Sequence, residues 1–193
     1  MAEDSKKLVI DNNSLVNFFN YYFFDRDYSG EIYKKLRDFL LDKIKSGEII
    51  IIDRVFKEFT TIKSQQEIDE LRKYIKPFFV NTVDLIDDVQ ILRDKYYKPE
   101  NERYYRDQTT GKVDYNLIDR VLNLYLDKHA DLYLAAYCMA HSDSILVTDE
   151  SFKKDNKLIE KLPTICSKEK IKLIDLPNSL FNYYKDELIF KLN

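Results

Sequence analysis

Glycine is scarce: there are three in 193 residues, Gly30, Gly47 and Gly111, none near another. A phosphate-cradling loop or a dinucleotide-binding turn needs clustered glycines, so both are excluded. Two histidines, His129 and His141, form no HExxH pair, and two cysteines, Cys138 and Cys166, cannot build a four-cysteine zinc site. So little cysteine fits a reducing compartment better than a disulfide scaffold. No apolar run approaches the roughly 18 residues that cross a bilayer, and the opening MAEDSKKLVID lacks the apolar stretch of a secretory signal. The expectation is a cytoplasmic protein with no membrane partner. Excess basic charge is also missing. A net charge of -3 gives no global pull on nucleic acid, although contacts to phosphate are made by local patches.

What is present fits one soluble domain. With 45% hydrophobic and 34% charged residues, the chain can bury a core without disulfide or metal staples. Apolar runs at Lys7–Ile10, Ile49–Ile52, Ser144–Thr148 and Lys172–Asp175 read as strands. Helical periods run over 14–24, 30–45, 66–76, 83–96, 117–126 and 130–140, with Gly47 stopping the second and Pro77 separating the third from the fourth. An amphipathic tail, 180–192, caps the core or meets a partner. Residues 97–115 are polar, hold Pro99 and Gly111, show no period and read as a long loop or mobile flap. Strands alternating with helices predict an α/β fold: a parallel sheet covered on both faces.

Acids follow two of the most apolar strands. Asp11 follows Leu8-Val9-Ile10, and Asp149 and Glu150 follow Ile145-Leu146-Val147-Thr148. Ligands of open α/β sheets bind outside the carboxyl ends of the strands, so both groups face one crevice. Asp53 also follows a strand and reads as a helix N-cap. Two more acids lie on apolar helical stripes: Glu58 beside Val55 and Ile62, and Asp131 beside Leu134, Ala135 and Cys138. Like charges gathered in a low-dielectric cleft repel, and burying them unpaired is costly. No arginine or lysine shares those stripes. A divalent cation is the simpler neutraliser, and carboxylates without histidine or cysteine select Mg²⁺ or Mn²⁺. Such a centre points to phosphodiester hydrolysis.

In chain order the motifs are LVI-Asp11-Asn12-Asn13-Ser14-LV, VFK-Glu58-F, HA-Asp131-LYLAAY and ILVT-Asp149-Glu150-SF. The sequence thereby resembles the PIN domain, a metal-dependent nuclease fold. The likeness covers both ends of the chain and leaves 60–115 unmatched. The closing KLPTICSKEKIKLIDL is similar to the last helix and strand of PIN-like proteins of unassigned function. Asn12 stands where the family commonly has threonine. The resemblance implies a three-layer α/β/α fold with a central, mostly parallel sheet, in a single domain over 1–193 with a helical and loop insertion at about 63–116. It also implies a Mg²⁺- or Mn²⁺-dependent endoribonuclease that cuts single-stranded RNA with a metal-activated water. On that reading Asp11, Glu58, Asp131 and Asp149 are catalytic and hold metal, with Glu150 competing for the fourth place. A toxin of a toxin–antitoxin pair, with an antitoxin protein as partner and a homodimer as assembly, is one form of it. A catalytically inactive PIN-like RNA-binding or scaffold protein is the alternative.

Substrate contacts are expected from Asn13 and Ser14, which orient Asp11 or a phosphate or else simply cap a helix. Residues 153–172 carry seven lysines against three acids, Lys153 and Lys154 among them. That patch meets an RNA backbone or is a solvated face. Arg103 and Arg106 lie among Tyr96, Tyr97, Tyr104 and Tyr105, a mixture suited to base stacking. His129 and His141 read as structural.

Overall fold

The structure is a computed structural model that describes residues 6–22, 31–60, 63, 65–153 and 155–192. The expected helix limits at Phe24 and Gly30, and Lys154, lie outside the described residues. Four strands, β1 (Lys7–Ile10), β2 (Ile49–Ile50), β3 (Ser144–Val147) and β4 (Leu173–Ile174), form one sheet in the order β2-β1-β3-β4, and every pair is parallel. β1 and β3 form the centre, in register from Lys7 opposite Ser144 to Ile10 opposite Val147. Val9, Leu146 and Val147 are wholly buried, which is why these strands are apolar runs and do not alternate. The four consecutive isoleucines are split between neighbours. Ile49 and Ile50 pair with β1, while Ile52 bridges Val80 in parallel and extends the sheet past β2.

Helices flank this sheet: α1 (Asn12–Tyr22), α2 (Glu31–Lys45), α3 (Asp53–Phe59), α4 (Gln65–Ile75), α5 (Ile86–Lys95), α6 (Tyr115–Lys128), α7 (Asp131–Ala140), α8 (Leu162–Glu169) and α9 (Leu176–Leu192). The arrangement is α/β/α, as the alternation of strands and helices predicts. α2 ends where Gly47 adopts φ +76°, a left-handed turn that glycine makes without a Cβ penalty. The predicted helix over 83–96 is divided, with a 3₁₀ turn at Val83–Leu85 preceding α5. The closing helix begins at Leu176, earlier than the amphipathic pattern indicates, because Asp175 accepts from the Asn178 amide at 2.8 Å and starts it. That helix caps the core against α2: Tyr184 packs edge-on to Phe39 at 5.5 Å, and Lys43 Nζ binds Glu48 and Glu187 while lying over both rings.

Residues 97–115 are not the flap that their polarity predicts. Pro99–Tyr104 forms a 3₁₀ helix, Tyr97 bridges Ile159, and Arg106 bridges Val113 around a turn in which Asp107 accepts from Thr109 and Thr110. Lys98 is buried and bound to Asp155 at 3.0 Å. Side-chain bonds replace the apolar period as the ordering force, so hydropathy misses the segment. It ends at Asp114, whose carboxylate accepts from the Leu117 amide at 3.0 Å and caps α6. Asp114→Ala is expected to lower stability by about 1 kcal/mol in urea unfolding.

The topology fixes where a site can form. The chain leaves β1 and forms β2 on one side, whereas β3 lies on the other side of β1. The strand order therefore reverses between β1 and β3, and a crevice opens beyond their carboxyl ends.

Candidate functional site: an acidic crevice

Asp11 closes the β1 ladder. Its amide donates to the Val147 carbonyl at 3.0 Å, and the chain then turns into α1. Its Oδ1 accepts from the Ser14 amide at 2.6 Å, a helix cap, and its Oδ2 accepts from the Thr148 hydroxyl at 2.5 Å. One oxygen is thus held from the first turn of α1 and the other from the residue after β3. Only 4% of the residue is exposed. Burial pushes its pKa up to about 6 against the pull of the Thr148 and Ser14 bonds, with the charge of Asp131 adding to the rise. Asp11 is therefore a cap and a crevice carboxylate at once.

Asp131 opens α7, where an acid complements the helix dipole. Tyr125 Oη donates to it at 2.8 Å. Burial raises the Asp131 pKa, the Tyr125 bond opposes that, and the Glu58 charge raises it further. Glu58 receives the Ala130 amide at 3.0 Å and stands 3.4 Å from His129 Nδ1. That contact raises the pKa of His129. His129 is thus a partner of one of the acids, beyond the structural role its sequence context indicates.

The two acids after β3 diverge. Glu150 has its pKa raised by burial and then by Asp131, and Lys161 approaches it at 3.5 Å. Asp149 is exposed and accepts three bonds: Asn17 Nδ2 donates at 2.9 Å, the Ser14 hydroxyl at 3.5 Å and the Leu176 amide at 3.2 Å. The Glu150 amide donates to the Thr148 hydroxyl at 3.1 Å, so the chain turns at this pair and the two carboxylates take different partners.

Among the sequence-predicted acids, the charge of Asp131 acts on Asp11 and Glu150 and that of Glu58 on Asp131, while Ser14 joins Asp149 to Asp11 by giving its hydroxyl to one and its amide to the other. Among the described residues, no group of three or more histidine, cysteine or acidic side chains is arranged so that it could hold a metal ion. The expectation that no arginine or lysine shares the acidic stripes leaves out basic groups from elsewhere: His129 and Lys161 reach Glu58 and Glu150, and the Lys157 charge lowers the pKa values of Asp131 and Glu150. They arrive from segments outside the acidic stripes, which periodicity on one helix cannot reveal. Asp53 is corrected as well. It is the first residue of α3, not its cap, and it accepts from Thr82 at 2.6 Å.

Of the expected substrate contacts, Ser14 is buried in the bracing just described, and Asn13 is exposed on the first turn of α1. Arg103 and Lys153 line a groove of about 430 Å³ together with Lys161 and the exposed Phe152. Arg106 is committed elsewhere, donating to the Arg103 and Gly111 carbonyls at 2.9 and 2.8 Å to hold the turn. Thr148, Asn17 and Tyr125 hydrogen-bond Asp11, Asp149 and Asp131, contacts that the sequence alone does not single out. Only Thr148, at a strand end beside two acids, carries a local signal.

The donor type, carboxylate oxygen at the mouth of a parallel sheet, is the one a hard divalent cation takes, and the buried Asn12 Oδ1 has no hydrogen-bond partner among the described residues. Among the described residues no helix is long and apolar enough to cross a membrane. In comparison with known proteins, one family model, described as a domain of unknown function (DUF4411), matches residues 8–183. No curated protein and no solved structure matches the chain significantly.

Proposed function

The chain belongs to the DUF4411 family, and from the acidic crevice at its switch point we propose that it is a Mg²⁺- or Mn²⁺-dependent endoribonuclease of PIN-like design, cutting single-stranded RNA. One observation carries the reading. Asp11 is buried with its two oxygens held by Ser14 and Thr148, and the charge of Asp131, 120 positions away in sequence, adds to the rise of its pKa, with neither carboxylate bound to a lysine or arginine among the described residues. Such a pair gains from a cation. Asp11, Asp131, Glu58 and Glu150 would hold it. A bound Mg²⁺ or Mn²⁺ supplies a Lewis acid that activates water and stabilises the leaving oxygen. The protein's own part is orientation. Ser14 and Thr148 fix both oxygens of Asp11, Tyr125 fixes Asp131, and Asp149 ties α1 to α9 behind them. Lys153, Arg103 and Phe152 offer the phosphate and stacking contacts that RNA requires. In the toxin form of this reading, a small antitoxin protein masks the crevice, and a homodimer presents two of them.

A second reading, a non-catalytic RNA-binding or scaffold protein, is favoured by the contacts of Lys161 with Glu150 and His129 with Glu58, which partly replace a cation. Titration of Mn²⁺ and Mg²⁺ into a single-stranded RNA cleavage assay separates the two. Cleavage by the wild-type chain that EDTA and Asp11→Asn both abolish, with circular dichroism unchanged, supports the nuclease. RNA binding without metal-dependent cleavage supports the scaffold.

A further inference from the structure

A second cavity shares its wall with the acidic crevice. It is about 200 Å³ and lies between α6 and the segment before α8. Leu122, Leu124, Leu158 and Ile159 make its sides aliphatic. Tyr125 and His129 line it with rings 4.8 Å apart and tilted by 31°. These same two residues touch the crevice acids, Tyr125 through its hydroxyl to Asp131 and His129 through Nδ1 to Glu58. The far edges of the rings thus look into the cavity while their polar atoms face the carboxylates.

We propose that this cavity receives one nucleobase of the RNA, next to the phosphate held at the acids, and so sets the base preference of cleavage. The inference rests on the nuclease reading for its substrate class. Three observations select the occupant. The volume falls below the roughly 300 Å³ at which drug-sized ligand sites begin, which suits a single base. Apolar sides with two aromatic rings suit a flat π-face, since stacking is tolerant of which base arrives. Lys128 and Lys157 stand at the cavity as exposed cations, and Lys157 also acts on Asp131 and Glu150, so the approach from base to acids is positive where a phosphodiester would lie. An apolar side chain of a protein partner would find the same walls but no use for that charge.

The test uses the full chain and fluorescent single-stranded RNA octamers in EDTA, so that binding is read without cleavage. Abasic nucleotides are stepped through the octamer one position at a time. Wild type should lose about tenfold in affinity at one abasic position. Val121→Trp, which fills the cavity, and Leu124→Asp, at a half-exposed rim position that tolerates change, should bind the intact octamer about tenfold more weakly and ignore that abasic step. An abasic scan that is flat for wild type overturns the proposal, as do variants that keep both affinity and the sensitive position. The two readings fail separately. Mn²⁺-dependent cleavage with a flat scan sinks the base pocket alone, whereas a sensitive position with no cleavage by wild type sinks the nuclease and keeps the pocket.

Discussion

Glu150→Gln is expected to lower metal-dependent RNA cleavage at least about 100-fold, and Asp149→Asn only about tenfold. The difference follows from where the two side chains go. Glu150 stands in the field of Asp131 and is balanced by Lys161, so removing its charge removes part of what a cation would bind. Loss of a group that merely orients a metal ligand costs about 10 to 100-fold, and loss of the ligand itself should reach or exceed the top of that range. Asp149 instead accepts from Asn17, Ser14 and Leu176, so its amide variant keeps an acceptor and the brace is only loosened. Asp131→Asn should match Glu150→Gln. Single-turnover rates in saturating Mn²⁺ would expose a reversed order, with Asp149 the costlier loss, and that result would reassign the fourth acid.

The second large effect is on stability without divalent cation. Burial lifts the Asp11 pKa from 3.8 to about 6. A carboxyl with a raised folded pKa binds its proton more tightly in the native state, so the stability it lends is complete below about pH 4 and is lost as pH climbs through 6. At about 1.4 kcal/mol per pH unit, the loss approaches roughly 3 kcal/mol. Asp131 and Glu150 are raised in the same direction, so the wild-type curve should fall over that window. Asp11→Asn removes one contributor: in EDTA its urea-unfolding stability should overtake wild type above pH 6 and trail or equal it at pH 4. Adding Mn²⁺ at 100 times its Kd should return about 2.7 kcal/mol to wild type and little to the variant. Parallel curves for the two proteins from pH 4 to 7.5 would mean that Asp11 is not strained by its burial.

Much of the architecture is legible from hydropathy because both faces of the sheet are buried. Lys7–Ile10 and Ser144–Val147 are continuous apolar runs for that reason, and their terminal acids mark the crevice directly. Glu58 and Asp131 are legible because an acid on an apolar stripe has few reasons to be there. What escapes is whatever depends on contacts between distant segments. Lys161 and Lys157 look like members of a solvated lysine run, and Tyr125 looks like one more core aromatic until its hydroxyl is seen on Asp131. The ordering of 97–115 escapes similarly, since Lys98 with Asp155 and Asn101 with the Lys157 carbonyl have no period. The relative placement of Asp149 and Glu150 depends on the turn that brings the Glu150 amide onto the Thr148 hydroxyl, which hydropathy does not record.

The bond from the Leu176 amide to Asp149 also imposes an order in time. A chain emerging from the ribosome makes α9 after every other element described here, and only then do Phe39 and Tyr184 meet and Asp149 gain its third donor. Until that helix packs, Asp149 keeps only the Asn17 and Ser14 donors, both on α1.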